Sequence, residues 1–134
     1  MTVRNRMLIE DLFDTMYAAE GVGLAAPQVG VLKRIVVIDI GEGPVVMINP
    51  VVLETKDSQT GMEGCLSVPG KQGQVTRPNY VKVSCLNEEM EPVIIEGEGL
   101  FARAMLHEID HLDGQLYIDI MEGELEDAEE EEEA

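Results

Sequence analysis

Leu100-Phe101-Ala102-Arg103-Ala104-Met105-Leu106-His107-Glu108-Ile109-Asp110-His111-Leu112 is the stretch on which the reading of this chain turns. Leu100, Ala104, His107 and His111 fall roughly along one face of a helix, and Phe101, Met105, Ile109 and Leu112 along another. A helix apolar on more than one side is buried on more than one side. The spacing therefore predicts a helix inside the molecule from about Glu98 to Leu112, ended by Gly114 where a C′ glycine would stand. His107 and His111 lie four residues apart, so both imidazoles can point at one atom while Glu108 approaches it from the side. This is the HExxH arrangement of a metal site with its own general base.

The two histidines of the motif are the only ones in the chain. A paired imidazole set with a carboxylate on a mainly apolar helix would be costly to bury without a ligand. Asp110 or Asp113 could serve the outer nitrogen of an imidazole, as partners of ligating histidines do, or make a helix-end contact.

Working outward, 134 residues with 45% apolar content suit one globular domain. The net charge of −18 is uneven: ten acids from Asp119 onward, with no Lys or Arg among them, leave −8 for the first 118 residues. Either value argues against a nucleic-acid ligand, whose affinity rests on clustered Lys and Arg. Residues 122–134 are nearly all acid and are expected as a disordered tail beyond a catalytic unit of residues 1–121. Neither a membrane span nor a signal peptide is legible, and Cys65 and Cys85 form no disulfide framework, so the cytoplasm is the expected compartment.

Ahead of the motif, Asn5 to about Ala19 reads as a helix with Leu8, Leu12, Phe13 and Met16 inward, Ile9 at the edge of that face and Thr2 as a cap. The run from Gly21 to Gly30 reads as a tight loop suited to close approach of a ligand's backbone. It is no dinucleotide fingerprint, since no strand precedes it and no helix pattern follows. Arg34 to Ile40 is a strand, and Val45 to Glu54 gives further strand signal around Asn49-Pro50, where the proline favours a bend, an edge or a bulge. Glu54 to Ser58 reads as a polar connector, and Gly61 to Gly70 as a second glycine-rich patch holding Cys65 in a loop. Val81, Val83 and Cys85 alternate with Lys82 and Ser84 in a half-buried strand, and Pro92 to Glu96 adds another. Strands with little helix between them predict an α+β fold with antiparallel or mixed sheets around the HExxH helix.

A metal on His107 and His111 needs a third ligand. The downstream candidates are Asp119, Glu122 and Glu124, and the upstream candidate is Cys65. Two imidazoles and a thiolate with an open fourth position make a catalytic pattern, because a structural site closes its shell. Such a metal acidifies a water, which becomes the nucleophile, and Glu108 takes its proton and can return one to the leaving group. Amide hydrolysis is the generic reaction.

Three separated blocks resemble the signatures of one family, the peptide deformylases. Gly21-Val22-Gly23-Leu24-Ala25-Ala26-Pro27-Gln28 is similar to its GxGxAAxQ loop, Glu63-Gly64-Cys65-Leu66-Ser67 to EGCLS, and His107 to His111 to HExxH, in the same order. The likeness runs from about residue 5 to about residue 121. It implies that Cys65, His107 and His111 hold one divalent metal, Fe²⁺ physiologically, with Zn²⁺, Ni²⁺ or Co²⁺ able to replace it. It implies Glu108 as general base and acid, and the Gln28 amide and Leu66 backbone N–H as donors to the developing oxyanion. The substrate would be an N-formylmethionyl nascent peptide, extended beside Val22, Gly23, Leu24 and Gly64, with formate and a free N-terminal methionine as products. Its methionine side chain would enter a pocket of Val22, Leu100, Ala104 and the His107 ring, with the stem of Arg103 at the rim. Arg77 would approach the substrate or brace the Cys65 loop. The likeness further implies a monomer, with association with the ribosome open. Family members generally carry an additional segment before the first helix and many a longer C-terminal helix, so an active but less stable enzyme is expected.

Two competing readings keep the same residues. A metalloprotease cutting inside peptides would take a third ligand other than Cys65. A non-catalytic binding protein would keep the fold with its site blocked or metal-free.

Overall fold

The computed structural model describes residues 2–65, 68–114 and 122–127, without the side chains of 64–65, 68–72 and 122–127. Helix α1 (Val3–Ala18) starts two residues before the expected Asn5, directly after the expected cap Thr2, whose Oγ1 accepts the Asn5 N–H at 3.1 Å. Its buried residues are Ile9, Leu12 and Met16, at i, i+3 and i+7. Ile9 is therefore central to the inward face, not at its edge, and Leu8 and Phe13 flank it.

Strand β1 (Gly23–Ala25) follows, then a 3-10 turn (Ala26–Val29), β2 (Ile35–Ile38) and β3 (Val45–Lys56). After these come β4 (Gln59–Cys65), β5 (Val68–Arg77), β6 (Tyr80–Leu86), β7 (Pro92–Glu98), helix α2 (Gly99–Leu112) and β8 (Glu122–Asp127). The strands form two antiparallel sheets, one ordered β1-β2-β3-β6-β7 and the other β4-β5-β8.

All four residues of β2 are buried because both faces of its sheet are covered. Ile35 and Val37 pack with Ile9, Leu12 and Met16 of α1, whereas Val36 and Ile38 pack with Ala102, Met105 and Ile109 of α2. Further along the sheet β6 alternates, with Val81, Val83 and Cys85 buried toward α2 and the residues between them half-buried, Leu86 against the α1-side cluster. Asn49 adopts φ 53° and the β3–β6 register shifts between Ile48 and Val51, so of the bend, edge or bulge expected at Asn49-Pro50 the structure has a bulge, and β3 lies inside its sheet and not at an edge.

Four expectations give way. The Gly21–Gly30 stretch is a short strand and a 3-10 turn, and the Gly61 patch belongs to a β4–β5 hairpin, not a loop. In both, glycine makes room for α2: a Cβ on Gly23 would stand 2.8 Å from Glu108 Cγ, and one on Gly61 3.2 Å from Arg103 Nη2. The Glu54–Lys56 part of the expected connector continues β3, where it pairs with Lys82, Val81 and Tyr80 of β6. Finally, Glu122–Asp127 pair with β5 where a disordered tail is expected, since ladder hydrogen bonds need no apolar side chains. Residues 128–134 lie outside the described residues.

Candidate metal centre

Helix α2 carries its polar groups on the side away from the apolar core. His107, Glu108 and His111 are only 6%, 4% and 5% exposed, and their potential ligand atoms lie within 4.8 Å of one another. The imidazoles stand edge to face, with centroids 4.8 Å apart, and His111 Nε2 is 3.9 Å from Glu108 Oε1. Gly23 lets β1 approach Glu108 closely enough to confine its carboxylate.

Glu63, on β4, holds the outer side of this cluster. Its Oε1 is 2.8 Å from His107 Nδ1, while Arg77 donates to both of its oxygens through Nε at 2.9 Å and Nη2 at 3.0 Å. Arg103 Nη1 adds a further bond to Oε2 at 2.7 Å. Burial pushes the Glu63 carboxyl up, but the hydrogen bonds from His107 and Arg77 and the Arg77 charge outweigh it and hold the group at about 2. An ionised Glu63 can only accept, so His107 donates to it through Nδ1–H, the arrangement in which a neutral ring would offer Nε2 to a metal.

His111 Nε2 is buried with no hydrogen-bond partner among the described residues. A buried nitrogen lone pair of this kind is what a cation satisfies. Two imidazoles converging beside a carboxylate therefore suit a divalent ion with nitrogen preference.

Neither Asp110 nor Asp113 is the partner of His107 Nδ1, although Asp113 does stand at the end of α2 as its C-cap. Asp110 accepts from Arg77 Nη1 at 2.6 Å, and Asp113 accepts from Arg34 Nη1 at 3.1 Å near the surface. The imidazole partner is Glu63, which sits 44 positions before His107 and so leaves no periodic trace in the helix. The one local signal was that Arg103 and His107, four apart, share the face that meets it.

Gln28 lies in the 3-10 turn, and its Oε1 accepts the Ala25 N–H at 2.8 Å. Since the backbone group can only donate, the Gln28 amide is oriented with its NH₂ turned away from that bond. Arg77 is bound to Glu63, two residues before Cys65, and to Asp110. Arg103 is 8% exposed, and its guanidinium is turned to Glu63 and the backbone of Gly61 and Val75. Ala104 is buried, Leu24 is buried, and Val22 and Leu100 are exposed. Leu100 lines a groove with Ile40, Tyr80, Gly97 and Phe101. Leu66 and the side chain of Cys65 lie outside what the structure describes, as do Asp119 and the side chains of Glu122 and Glu124; Gly64 is described as part of β4.

A family model described as polypeptide deformylase matches residues 2–126. The chain is 66% identical over 120 residues to a peptide deformylase of Agathobacter rectalis, an alignment spanning 90% of this chain and 76% of that protein. It is 63% identical over 112 residues to peptide deformylase 1 of Clostridium acetobutylicum, spanning 84% and 75%. The crystal structure of a Thermotoga maritima peptide deformylase matches with a TM-score of 0.88 at 43% identity, over 91% of this chain and 84% of that one. A Synechococcus elongatus peptide deformylase in complex with actinonin matches with a TM-score of 0.87 at 45% identity, over 90% and 66%.

Proposed function

The chain belongs to the polypeptide deformylase family, and from that premise we propose how its residues divide the removal of the N-formyl group from nascent peptides. It is a metal-dependent hydrolase. In our reading His107, His111 and Cys65 hold the divalent ion, Fe²⁺ in the cell, with Zn²⁺, Ni²⁺ or Co²⁺ able to take its place. When bound, that ion acidifies water and polarises the formyl carbonyl.

Glu108 receives the proton that water gives up as its oxygen bonds to the formyl carbon. It then delivers a proton to the departing nitrogen as the C–N bond breaks, leaving formate and a free amine. The Gln28 NH₂, aimed by the Ala25 bond, and the Leu66 N–H donate to the formyl oxygen as charge develops on it. Strands β1 and β4 each lie at the edge of a sheet. The substrate backbone adds to these edges beside Val22, Gly23, Leu24 and Gly64, with its methionine side chain toward Val22, Leu100, Ala104 and the His107 ring. We extend the reading to a monomer working in the cytoplasm on chains leaving the ribosome. Among the described residues no helix is long and apolar enough to cross a membrane.

The observation that carries this reading is the buried His107, Glu108 and His111 cluster. Protein prepared anaerobically with Fe²⁺ should bind the metal stoichiometrically and release formate from formyl-Met-Ala-Ser. Stoichiometric Fe²⁺ with no formate would overturn it. Cys65→Ala should lose metal; full metal retention with cleavage inside unformylated peptides would favour a protease.

A further inference from the structure

Arg103 is a large cation in an enclosed place that the chemistry above does not use. It lies one helical turn before His107, and both side chains reach the same carboxylate, at 2.7 Å from Arg103 Nη1 and 2.8 Å from His107 Nδ1. Arg103 is itself held: Nη1 also donates to Gly61 O at 3.3 Å and Val75 O at 3.2 Å, and Nε to Gln59 Oε1 at 3.3 Å. Gly61 leaves the space its guanidinium fills.

Arg77 fixes the plane of Glu63 by a two-point fork and ties the carboxylate to β5, reaching α2 only at Asp110, three residues beyond His107. Beside His107 itself, Arg103 is the group of α2 that binds this carboxylate, and the only one of the two with a fixed cation to hold it there. A carboxylate held by both elements cannot shift along the helix without breaking a short charged bond. We propose that Arg103 is a positioning residue: through Glu63 it fixes the rotation of the His107 ring and so the direction in which Nε2 meets the metal. This rests on the reading of His107 as a ligand.

The test is a double-mutant cycle of Arg103→Met and Glu63→Gln, with Zn²⁺ affinity measured by chelator competition and kcat and KM for formyl-Met-Ala-Ser measured in parallel. Loss of an outer partner of a ligating histidine typically costs about 10–100-fold in metal affinity. Arg103→Met should lose affinity in that range and lower kcat, with KM little changed. The double variant should lose no more than Glu63→Gln alone, because Arg103 acts through that carboxylate. Unchanged Zn²⁺ affinity with a raised KM would make Arg103 a substrate-pocket residue and overturn the inference. Additive losses would overturn it as well. Where Arg103→Met does not fold, Arg103→Lys replaces it, since an ammonium keeps the charge but not the multiple directed bonds; affinity equal to the parent would then overturn the proposal. A parent chain that takes up no stoichiometric Zn²⁺ defeats the ligand reading itself, whereas tight binding by both parent and variant defeats only the role of Arg103.

Discussion

On one side of α2, Ala102, Met105 and Ile109 meet Val36, Ile38, Met47, Val81 and Val83; on the other, Arg103 and His107 meet Glu63, which Arg77 ties in turn to Asp110. The first contact is non-directional, and its strength follows the apolar area removed from water. In the second, each buried charge costs free energy unless its partners are correctly placed. The same helix therefore tolerates small shape changes on one side and demands geometry on the other. Substitutions on the two sides should separate stability from chemistry.

The largest effect belongs to the polar side. Glu108→Gln keeps the shape but cannot carry the proton, so kcat for deformylation should fall by roughly 10²–10⁴-fold. Metal content and melting temperature should stay at their parent values; a parallel loss of metal would show that Glu108 is needed for the centre to form. Next come substitutions that test the sides against each other. Arg77→Met leaves Glu63 and Asp110 short of a cation, and breaking a buried pair in this way costs about 3–5 kcal/mol. Met105→Ala opens a cavity against the sheet and costs about 2–5 kcal/mol. Denaturant unfolding should show both losses, but metal affinity should fall only for Arg77→Met. Equal affinity in the two variants would remove the distinction drawn between the sides.

Gly23→Ala is smaller and more specific. Its Cβ would press on Glu108 Cγ and Oε2, each 2.8 Å away, and a displacement of about 1 Å in a catalytic group can cost about a hundredfold in rate. Activity should drop with the fold intact, and unchanged activity would mean that Glu108 has room to spare.

The last test is a pH dependence of the metal-free chain. Glu63 titrates near 4.5 when unfolded and near 2 in the fold, so the folded state binds fewer protons between these values. Its contribution to stability is complete above pH 4.5 and is lost as the pH falls toward 2. Denaturation midpoints should decline across that window, and less steeply for Glu63→Gln; identical slopes would show that another group governs the decline.

The same division decides how much could be read from the sequence. Helix α2, its burial on two sides, the capped start of α1 and the bulge at Asn49-Pro50 all follow from local spacing or local backbone rules. So does the convergence of His107, Glu108 and His111, which lie within one and a half turns of one helix. What escaped depends on contacts between distant segments. Glu63 is a charged residue in a glycine-rich stretch, and only the β4–β5 hairpin delivers it to His107. Asp110 and Asp113 stood near enough in sequence to serve an imidazole, but Arg77 and Arg34 engage them first. The glycines of β1 and β4 suggested loops because the helix side chains that fill the missing Cβ positions are about 40 or more residues away.

Strand β1 is only three residues long and ends its sheet. At about 3.3 Å of rise per residue it offers about 10 Å of free ladder, too little to template the growth of a fibril. The same shortness works as a ruler. In the binding mode proposed above, a polypeptide laid along it would be measured over its first few residues, and whatever amino acids follow would go unread, as suits an activity directed at the N-termini of many different chains.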